Sequence, residues 1–476
     1  MQQVPISPPR LVVAGLAGDS GKTLVSLGLL LQARQHGVLT SAFKKGPDYI
    51  DAAWLGWAAG RPARNLDTYL MGNEKAVGAF CTRAVADGFN LIEGNRGLYD
   101  GFDARGTHST GELAKLLRSP VLLVLDVTKV THTAAALVLG CQTVDPAVQI
   151  SGVILNRVAG KRHEAILRES IESTCHVPVL GVLPKSDIAT MLPDRHLGLV
   201  TPEEHPNIDE VERRLLSLFA GRVDFEPVLD MARTAPALAT PSETVQHARH
   251  GEGLRVAYLR DSAFTFYYPE NLEALEASGA CLVPLSALTC ERLPESLDAL
   301  YVGGGFPETH GETIAANRSF LTSIREMTER GLPVYAECGG LMLLSQAIVW
   351  RGKKFPMAGV LPFQVEVSET PQGHGYTELH VDVPNGYYPV GITLRGHEFH
   401  YSGIVSDGHL PPTVCKVNRG TGCYAGRDGI ILKNVWASYT HVHAVATPEW
   451  AEGLLHAARE FSSRRGILSN RWEDSG

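Results

Sequence analysis

The sequence predicts an α/β chain of two tandem domains, and three observations carry that prediction. Short β-rich runs alternate with helix-patterned segments, a stretch at 233–253 breaks the periodicity, and a second strand–helix series begins directly after it. Strands alternating with helical patterns form a parallel sheet with helices on both faces. At 476 residues the chain also exceeds one ordinary core, so two or three domains are expected.

In the first domain, residues 1–232, strands are expected at Leu11–Ala14, Thr40–Phe43, Gly88–Glu93, Val121–Asp126, Gly152–Asn156 and Val179–Leu183. Leu24, Leu27 and Leu31 repeat at helical spacing, and Gly37 supplies a stop. Residues 233–253, RTAPALATPSETVQHARHGEG, are rich in Pro, Ala, Thr and Ser and read as a linker. The second domain, 254–476, shows strands at Leu254–Leu259, Cys281–Pro284, Ala299–Val302 and Pro333–Ala336, and a helix at Glu270–Ser278. No short repeat is visible.

Composition narrows the function. With 44% apolar residues and a net charge of −8, the chain offers no nucleic-acid surface, though a local basic pocket can still hold a small anion. Its eight cysteines contain no C-x-x-C pair for zinc, iron–sulfur or dithiol chemistry, and such scattered thiols suit a reducing cytoplasm. The start MQQVPISPPR has neither a basic nor an apolar targeting region, and no apolar run reaches bilayer length. A cytoplasmic protein without a membrane anchor is expected.

Gly15-Leu-Ala-Gly-Asp-Ser-Gly-Lys-Thr23 follows the first expected strand and opens the first helix, the context of a P-loop. Gly15, Gly18 and Gly21, with Asp19 and Ser20, let backbone amides wrap phosphate; Lys22 reaches the outer phosphates and Thr23 can ligate Mg²⁺. The usual spacing asks for glycine at position 16, where Leu16 stands. A glycine-rich turn without ligand is the plain alternative, and nucleotide binding is the favoured reading.

A Mg²⁺–ATP site needs further acidic oxygens. Lys44-Lys-Gly-Pro-Asp-Tyr-Ile-Asp51 supplies Asp48 and Asp51 after the second strand, Glu93 ends the third, and Asp100 follows on its loop. In a parallel α/β sheet these loops converge at the carboxyl edge. Asp48 in its Gly-Pro-Asp turn also reads as a turn former. Asn156, at a later strand end, suits an adenine edge or a strand-end cap.

Cys338 lies between the strand at Pro333–Ala336 and the pattern Leu341, Leu344, Ala347, Ile348, which is helical in spacing. Gly339 and Gly340 permit a sharp turn, and a helix N-terminus helps keep a thiolate charged. A lone cysteine more often packs as a small hydrophobe, so the reading needs a base and an oxyanion site. Gly303, Gly304 and Gly305 end a strand and can offer backbone N–H groups. His441 and His443 share a strand face, which suits either a base for Cys338 or a metal pair without a visible third ligand. On these residues alone a cysteine protease also stands.

These motifs together resemble the cobyrinate a,c-diamide synthase family, an ATP-dependent amidoligase fused to a class I-type glutamine amidotransferase domain. The resemblance runs almost end to end: the P-loop, KKGPDYID at 44–51, RNLDTYLM at 64–71, EGNRGLYDG at 93–101, ILNRV at 154–158, LPDRHLGLV at 192–200, AFTFYYPENLE at 263–273, GGGFPE at 303–308, ECGGLMLL at 337–344, GHEFHYS at 396–402 and SYTHVH at 438–443. It implies a first domain similar to dethiobiotin synthetase and a second similar to class I glutamine amidotransferases.

The resemblance further implies conversion of the a- and c-acetate groups of cobyrinate or hydrogenobyrinate to amides through acyl phosphates, consuming ATP and L-glutamine. Lys22 and Thr23 would then hold phosphates and Mg²⁺ with Asp48 or Asp51 and Glu93, while Tyr49, Ile50 and Asp100 match substrate-site positions. Cys338 would be the nucleophile and His441 its base, with Gly304 and Gly305 as oxyanion donors. Ammonia would pass directly between the domains, and a homodimer through the synthetase half follows only by fold-level analogy.

Two departures stand out. Many relatives of the second domain carry Glu two residues after the catalytic His, where this chain has His443. Arg96 stands beside the metal site, where it reads equally as an anion contact or an exposed side chain. Rival functions are amidation of nickel sirohydrochlorin toward coenzyme F430, the less favoured cobyric acid synthase, and a non-catalytic ATP-binding regulatory module.

Overall fold

The computed structural model describes residues 6–186, 194–195, 198–239 and 250–473. The chain divides into two compact units, Met1–Thr244 and Val245–Gly476. Among the described residues no helix is long and apolar enough to cross a membrane.

The first unit is built on strands β1 (Arg10–Gly15), β2 (Thr40–Lys45), β3 (Arg64–Leu66), β4 (Phe89–Glu93), β5 (Val121–Asp126), β6 (Ile150–Val158) and β7 (Val179–Pro184). They form one sheet in the order β3-β2-β4-β1-β5-β6-β7. Every pairing is parallel. All of β1, β2 and β4 is buried, as expected for a sheet covered on both faces. A short hairpin, β8 (Asp194–Arg195) and β9 (Gly198–Leu199), follows. Strand β3 is absent from the sequence reading, because three residues reading Arg-Asn-Leu carry no apolar run.

The chain passes from β1 into α1 (Lys22–Gln35) and from β2 into α2 (Tyr49–Ala59). Gly37 ends α1 at φ 69, its N–H bonding to Arg34 O at 3.0 Å, a left-handed stop that glycine adopts without strain. Strand β2 lies to one side of the adjacent β1 and β4, and β5 lies to the other. This is the switch point outside which ligands bind in open α/β sheets.

The expected linker begins later than its composition suggests. A helix runs through Phe225–Arg233, Ala235 and Leu238 are buried, and Leu238 exchanges backbone hydrogen bonds with Ile6 at 2.8 and 3.2 Å. Residues 240–249 of that linker lie outside the described residues.

The second unit carries a ten-stranded mixed sheet. Strands β10 (Arg255–Leu259), β11 (Cys281–Leu285), β12 (Ala299–Val302) and β13 (Val334–Glu337) pair in parallel, within a residue or two of expectation. Next come β14 (Ala347–Trp350), β15 (Lys353–Pro356), β16 (Gln364–Val367), β17 (Gly373–Val381), β18 (Thr393–His400), β19 (Ser402–Val405), β20 (Thr413–Arg419), β21 (Arg427–Leu432), β22 (Val435–Ser438) and β23 (His441–Val442). The large sheet runs β11-β10-β12-β13-β22-β21-β20-β17-β18-β23, and β15-β14-β16-β19 form a separate sheet.

The helix expected after Cys338 is shorter than its leucine spacing predicts. It spans Gly339–Leu344, and Ala347 and Ile348 enter β14 instead. The hydroxyl of Ser345 bonds to Met342 O at 2.7 Å and to Ala347 O at 3.1 Å, and the β-branched pair Ile348-Val349 favours the strand.

One buried cation ties the first unit together. Arg10, fully buried in β1, donates to Leu117 O at 2.6 Å, Pro8 O at 3.1 Å, Arg118 O at 3.4 Å and Pro236 O. It thereby joins the first strand, the 117–118 turn and the segment after the last helix. Burial lowers its pKa to about 10, which leaves it charged at neutral pH. Arg10→Met leaves these carbonyls without a donor, at about 1–3 kcal/mol for each one kept from water. A clear fall in the midpoint of the first unit's thermal unfolding transition, read by calorimetry on the full chain, is the expected result.

Candidate functional site

In the first unit, the loop after β1 folds back on itself. Lys22 Nζ donates to Ala17 O at 2.8 Å, and Ser20 Oγ donates to the same carbonyl at 3.2 Å. Gly15 makes room for this closure: a methyl group there would lie 2.1 Å from Ser20 Oγ. The glycine displaced by one position from the usual spacing is thus the one the loop needs. Gly21 at φ 97 opens α1, where a methyl group would meet Asn156 Nδ2 at 2.2 Å. Asn156 donates from Nδ2 to Ser20 O at 3.0 Å, and its Oδ1 accepts from Arg157 N at 2.9 Å. It therefore braces the loop. Gly18 and Asp19 are exposed at the loop's outer side, with Asp19 at φ 55.

Beside this loop the sequence reading missed a central residue. Lys44 is buried on β2, and its ammonium lies 2.6 Å from Asp51 Oδ2 and 2.8 Å from Glu93 Oε1. Burial opposes this charge, but Asp51, Glu93 and Asp48 outweigh it and hold the lysine pKa above its ordinary value. Lys44 and Glu93 are direct register partners on β2 and β4, so strand pairing itself sets the contact. Glu93 Oε1 also accepts from Thr23 Oγ1 at 2.9 Å. Burial, then Lys44, lowers the pKa of Lys22.

Asp48 caps α2, its Oδ1 accepting from the N–H groups of Ile50 and Asp51 at 2.9 Å each. Burial, then the neighbouring Asp51, pushes its carboxyl up to about 6 despite Lys44. Ile50 is buried in the first turn of α2 and Tyr49 is half-buried. On the loop after β4, Asp100 is exposed, and its Oδ2 accepts from Gly97 N at 2.8 Å and closes that turn. Arg96 is exposed at φ 50, and its charge helps lower the pKa of buried Lys45.

These residues fit a magnesium–nucleotide group by one observation in particular. Glu93 Oε2 is buried without a hydrogen-bond partner, next to the Thr23 hydroxyl at the helix start. Mg²⁺ usually takes one or two protein carboxylates with phosphate and water completing its octahedron. Among the described residues no group of three or more His, Cys, Asp or Glu is arranged to hold a metal ion.

In the second unit Cys338 stands at the turn between β13 and its short helix with φ 49 and ψ −97. Its N–H donates to Ser438 O at 2.8 Å and its carbonyl accepts from Met342 N at 3.1 Å, so both sides of the turn are pinned. Burial, then the fields of Glu308, Glu337 and Glu398, pushes the thiol well above its ordinary range, and the Gly339 N–H opposes that rise. The helix that follows is only six residues long, Gly339–Leu344, and burial with the flanking acids outweighs the expected stabilisation of a thiolate at its N-terminus.

Glycines bring the surrounding backbones together. A methyl group on Gly340 would lie 2.3 Å from Val302 O, and one on Gly339 would lie 3.1 Å from Gly305 N and 3.3 Å from Gly304 C. One on Gly304 would lie 2.7 Å from His441 Cε1 and 3.3 Å from Nε2. Gly305, at φ 152, approaches Ala263 O too closely for any side chain. The elbow, the glycine turn and one edge of the His441 ring therefore meet around Gly304. The Gly339 N–H also lies beside the thiol, a backbone group that the sequence reading did not name as a donor.

His441 pairs with His397 across β23 and β18 and stacks on it at 5.0 Å. Its Nδ1 lies 3.3 Å from Glu337 Oε2. His443 is fully buried elsewhere, 3.6 Å from Glu270 Oε2 and against the Tyr268 ring at 4.5 Å. The two histidines do not share a ligand position.

The fold and these two sites define a glutamine amidotransferase domain joined to a P-loop-type nucleotide-binding domain. Residues 255–448 match the CobB/CobQ-like glutamine amidotransferase domain, and 11–200 match the CobQ/CobB/MinD/ParA nucleotide binding domain. The cobyrinate a,c-diamide synthase of Magnetococcus marinus is 41% identical over 465 residues, covering 97% of this chain and 99% of that protein. Those of Caldanaerobacter subterraneus and Archaeoglobus fulgidus are each 37% identical, covering 95% and 96% of this chain and 99% of each relative. The chain belongs to the cobyrinate a,c-diamide synthase family and is an amidotransferase ligase.

The raised Asp48 pKa has a testable sign. A carboxyl whose folded pKa exceeds its unfolded value contributes stability that is present at low pH and lost as pH rises through the folded value. Asp48→Asn keeps the cap and removes the charge, so its stabilising effect should grow from about pH 4 to pH 6 and then level. Its ceiling is about 3 kcal/mol for a two-unit shift. Thermal midpoints of both proteins at pH 4.5, 6 and 7.5 check this; a pH-independent difference would refute it.

A second expectation concerns Gly304→Ala, whose methyl group would displace the His441 ring. Glutamine hydrolysis should fall by on the order of 10²-fold or more, the scale of a misplaced catalytic group. Nucleotide binding in the other unit, followed by calorimetry, should not change.

Proposed function

We propose that the chain converts the a- and c-acetate carboxylates of cobyrinate or hydrogenobyrinate to amides in cobalamin biosynthesis, consuming ATP and glutamine. Residues 1–232 would be the amidoligase and 254–476 the glutaminase, joined by 233–253. The observation that carries this reading is near full-length similarity to relatives of that name.

In the glutaminase, His441 Nε2 takes the Cys338 proton as Sγ attacks the glutamine carboxamide carbon. The N–H groups of Gly304, Gly305 and Gly339 receive the developing oxyanion. His441 returns the proton to the departing nitrogen, the C–N bond breaks, and ammonia leaves a γ-glutamyl thioester that water hydrolyses to glutamate. The high thiol pKa supports proton transfer during attack in place of a resting thiolate.

In the amidoligase, a corrin carboxylate oxygen attacks the γ-phosphorus of ATP as the bond to the bridging oxygen breaks and ADP leaves, giving an acyl phosphate; ammonia then adds to the acyl carbon, loses a proton and displaces phosphate. Activation is required because a carboxylate lacks an adequate leaving group. Gly15, Gly18, Asp19, Ser20 and Gly21 supply the phosphate loop, Lys22 reaches the outer phosphates, and Asn156 braces the loop at the nucleotide. Thr23 and Glu93, with Asp48 or Asp51, would hold Mg²⁺, which supplies charge neutralisation on the transferred phosphoryl group. Tyr49, Ile50 and Asp100 would meet the substrate.

Incubation with cobyrinate or hydrogenobyrinate, ATP, Mg²⁺ and glutamine should give the diamide, identified by mass spectrometry. Unchanged mass with both corrins, alongside turnover of nickel sirohydrochlorin, would reassign the substrate. Cys338→Ser should abolish glutamine-dependent synthesis and retain synthesis from ammonium salts; loss of both would show that the sites are not separable as proposed.

A further inference from the structure

We infer that Glu337, the residue immediately before the elbow cysteine, is the positioning acid for His441, in place of the acid usually found two residues after the histidine. The inference rests on the reading of Cys338 and His441 as the glutaminase pair and adds the group that orients the base.

The usual position is unavailable here. His443 occupies it, and its ring packs against Tyr268 with Nε2 3.6 Å from Glu270 Oε2. Its Nδ1 accepts from Val445 N at 3.2 Å, which leaves Nε2 as the protonated nitrogen, on the side of Glu270. Neither ring nitrogen of His443 is directed at His441.

Glu337 meets the geometric requirements. Its carboxylate is almost wholly buried, with Oε2 3.3 Å from His441 Nδ1. Oε1 accepts from Val442 N at 3.3 Å, so the acid grips both the ring and the backbone of the residue that follows it. Tyr301 OH donates to Oε2 at 3.2 Å from β12 and limits the carboxylate's rotation. Strand pairing places this end of β13 opposite Ser438, three residues before His441. A carboxylate on Nδ1 fixes the proton on that nitrogen and leaves the Nε2 lone pair toward Gly304, where the elbow and the glycine turn meet.

Other titratable groups also lie around the ring. His397, from β18, stacks on the face of His441 and its own Nδ1 lies 3.2 Å from Tyr268 OH. Burial, then the neighbouring His441, keeps His397 neutral by lowering its pKa well below the ordinary value. Cys338 is the proton donor in the reaction. Glu337 thus holds the His441 ring at Nδ1 from the end of β13.

The test is the pH profile of glutamine hydrolysis in Glu337→Gln, Glu337→Asp and His443→Ala, with ammonia-dependent synthesis as the measure of an intact fold. Glu337→Gln should lower kcat by on the order of 10²–10⁴-fold, the scale of losing a tautomer-fixing carboxylate. It should also move the acid limb of kcat/KM to lower pH by about one unit or more, because a neutral amide no longer favours the imidazolium. Glu337→Asp should lose rate while keeping the limb in place, and His443→Ala should keep the limb in place. A slow Glu337→Gln enzyme whose limb has not moved would reduce Glu337 to packing and overturn the inference. So would a limb displaced by His443→Ala and not by Glu337→Gln. Full glutaminase activity in His441→Ala would instead overturn the underlying glutaminase reading.

Discussion

Two carboxylates buried at the carboxyl ends of parallel strands, Glu93 and Glu337, set the terms for both halves of the molecule. A carboxylate removed from water costs several kcal/mol unless donors replace the hydration it loses. Glu93 is held by Lys44 and the Thr23 hydroxyl, and Glu337 by Tyr301, a backbone N–H and the His441 ring. In each case a neighbouring parallel strand supplies a donor: β2 beside β4, and β12 beside β13. Register is therefore an electrostatic requirement as well as a packing one, since slipping a strand by one residue would turn its donor to the opposite face.

The same edges must also let backbone approach backbone. Cys338 at φ 49 is a strained conformation for a residue with a side chain, worth on the order of 1–3 kcal/mol. It is maintained by the Ser438 carbonyl on one side and Met342 on the other. Glycines at 339 and 340 then permit contact with β12 and its following turn that any side chain would block. Glu337 precedes this strained residue, so one short segment places an acid, a thiol and the Gly339 N–H together. The first unit reaches a similar end with less strain, because Gly15 and Gly21 take the close approaches and Asp48 caps a helix in the ordinary way.

Legibility in the sequence followed the same physics. Strands such as Val121–Asp126 and Ala299–Val302 are continuous apolar runs because both faces are covered, and they are readable as such. Strands β17 and β18, GHGYTELHV and TLRGHEFH, mix exposed, polar and glycine positions and carry no comparable run, so the antiparallel half of the second sheet escaped notice. Site residues that form contiguous motifs, such as the phosphate loop and the elbow, were legible. Pairings that depend on register were not: Lys44 with Glu93 and Glu337 with His441 are distant in sequence and meet only once the strands are aligned. The members of each pair lie in separate motifs, and spacing alone gives them no relation.

The thiol and the acid beside it then pose an apparent conflict. The field of Glu337 raises the cost of a Cys338 thiolate, and the same carboxylate lies 3.3 Å from His441 Nδ1, where it would face an imidazolium formed during attack. A resting thiolate would suffer from this arrangement, but a proton passed from sulfur to imidazole during attack turns the penalty on one group into support for the other. The negative charge moves off sulfur toward the carbonyl oxygen, where backbone N–H groups receive it, while the positive charge stays in contact with the carboxylate. A buried acid next to a nucleophile is counterproductive for an ionised thiol and well suited to a neutral one that ionises only when glutamine is present. On the proposed mechanism, the burial that makes Cys338 a poor thiolate in isolation restricts its reactivity to the bound substrate.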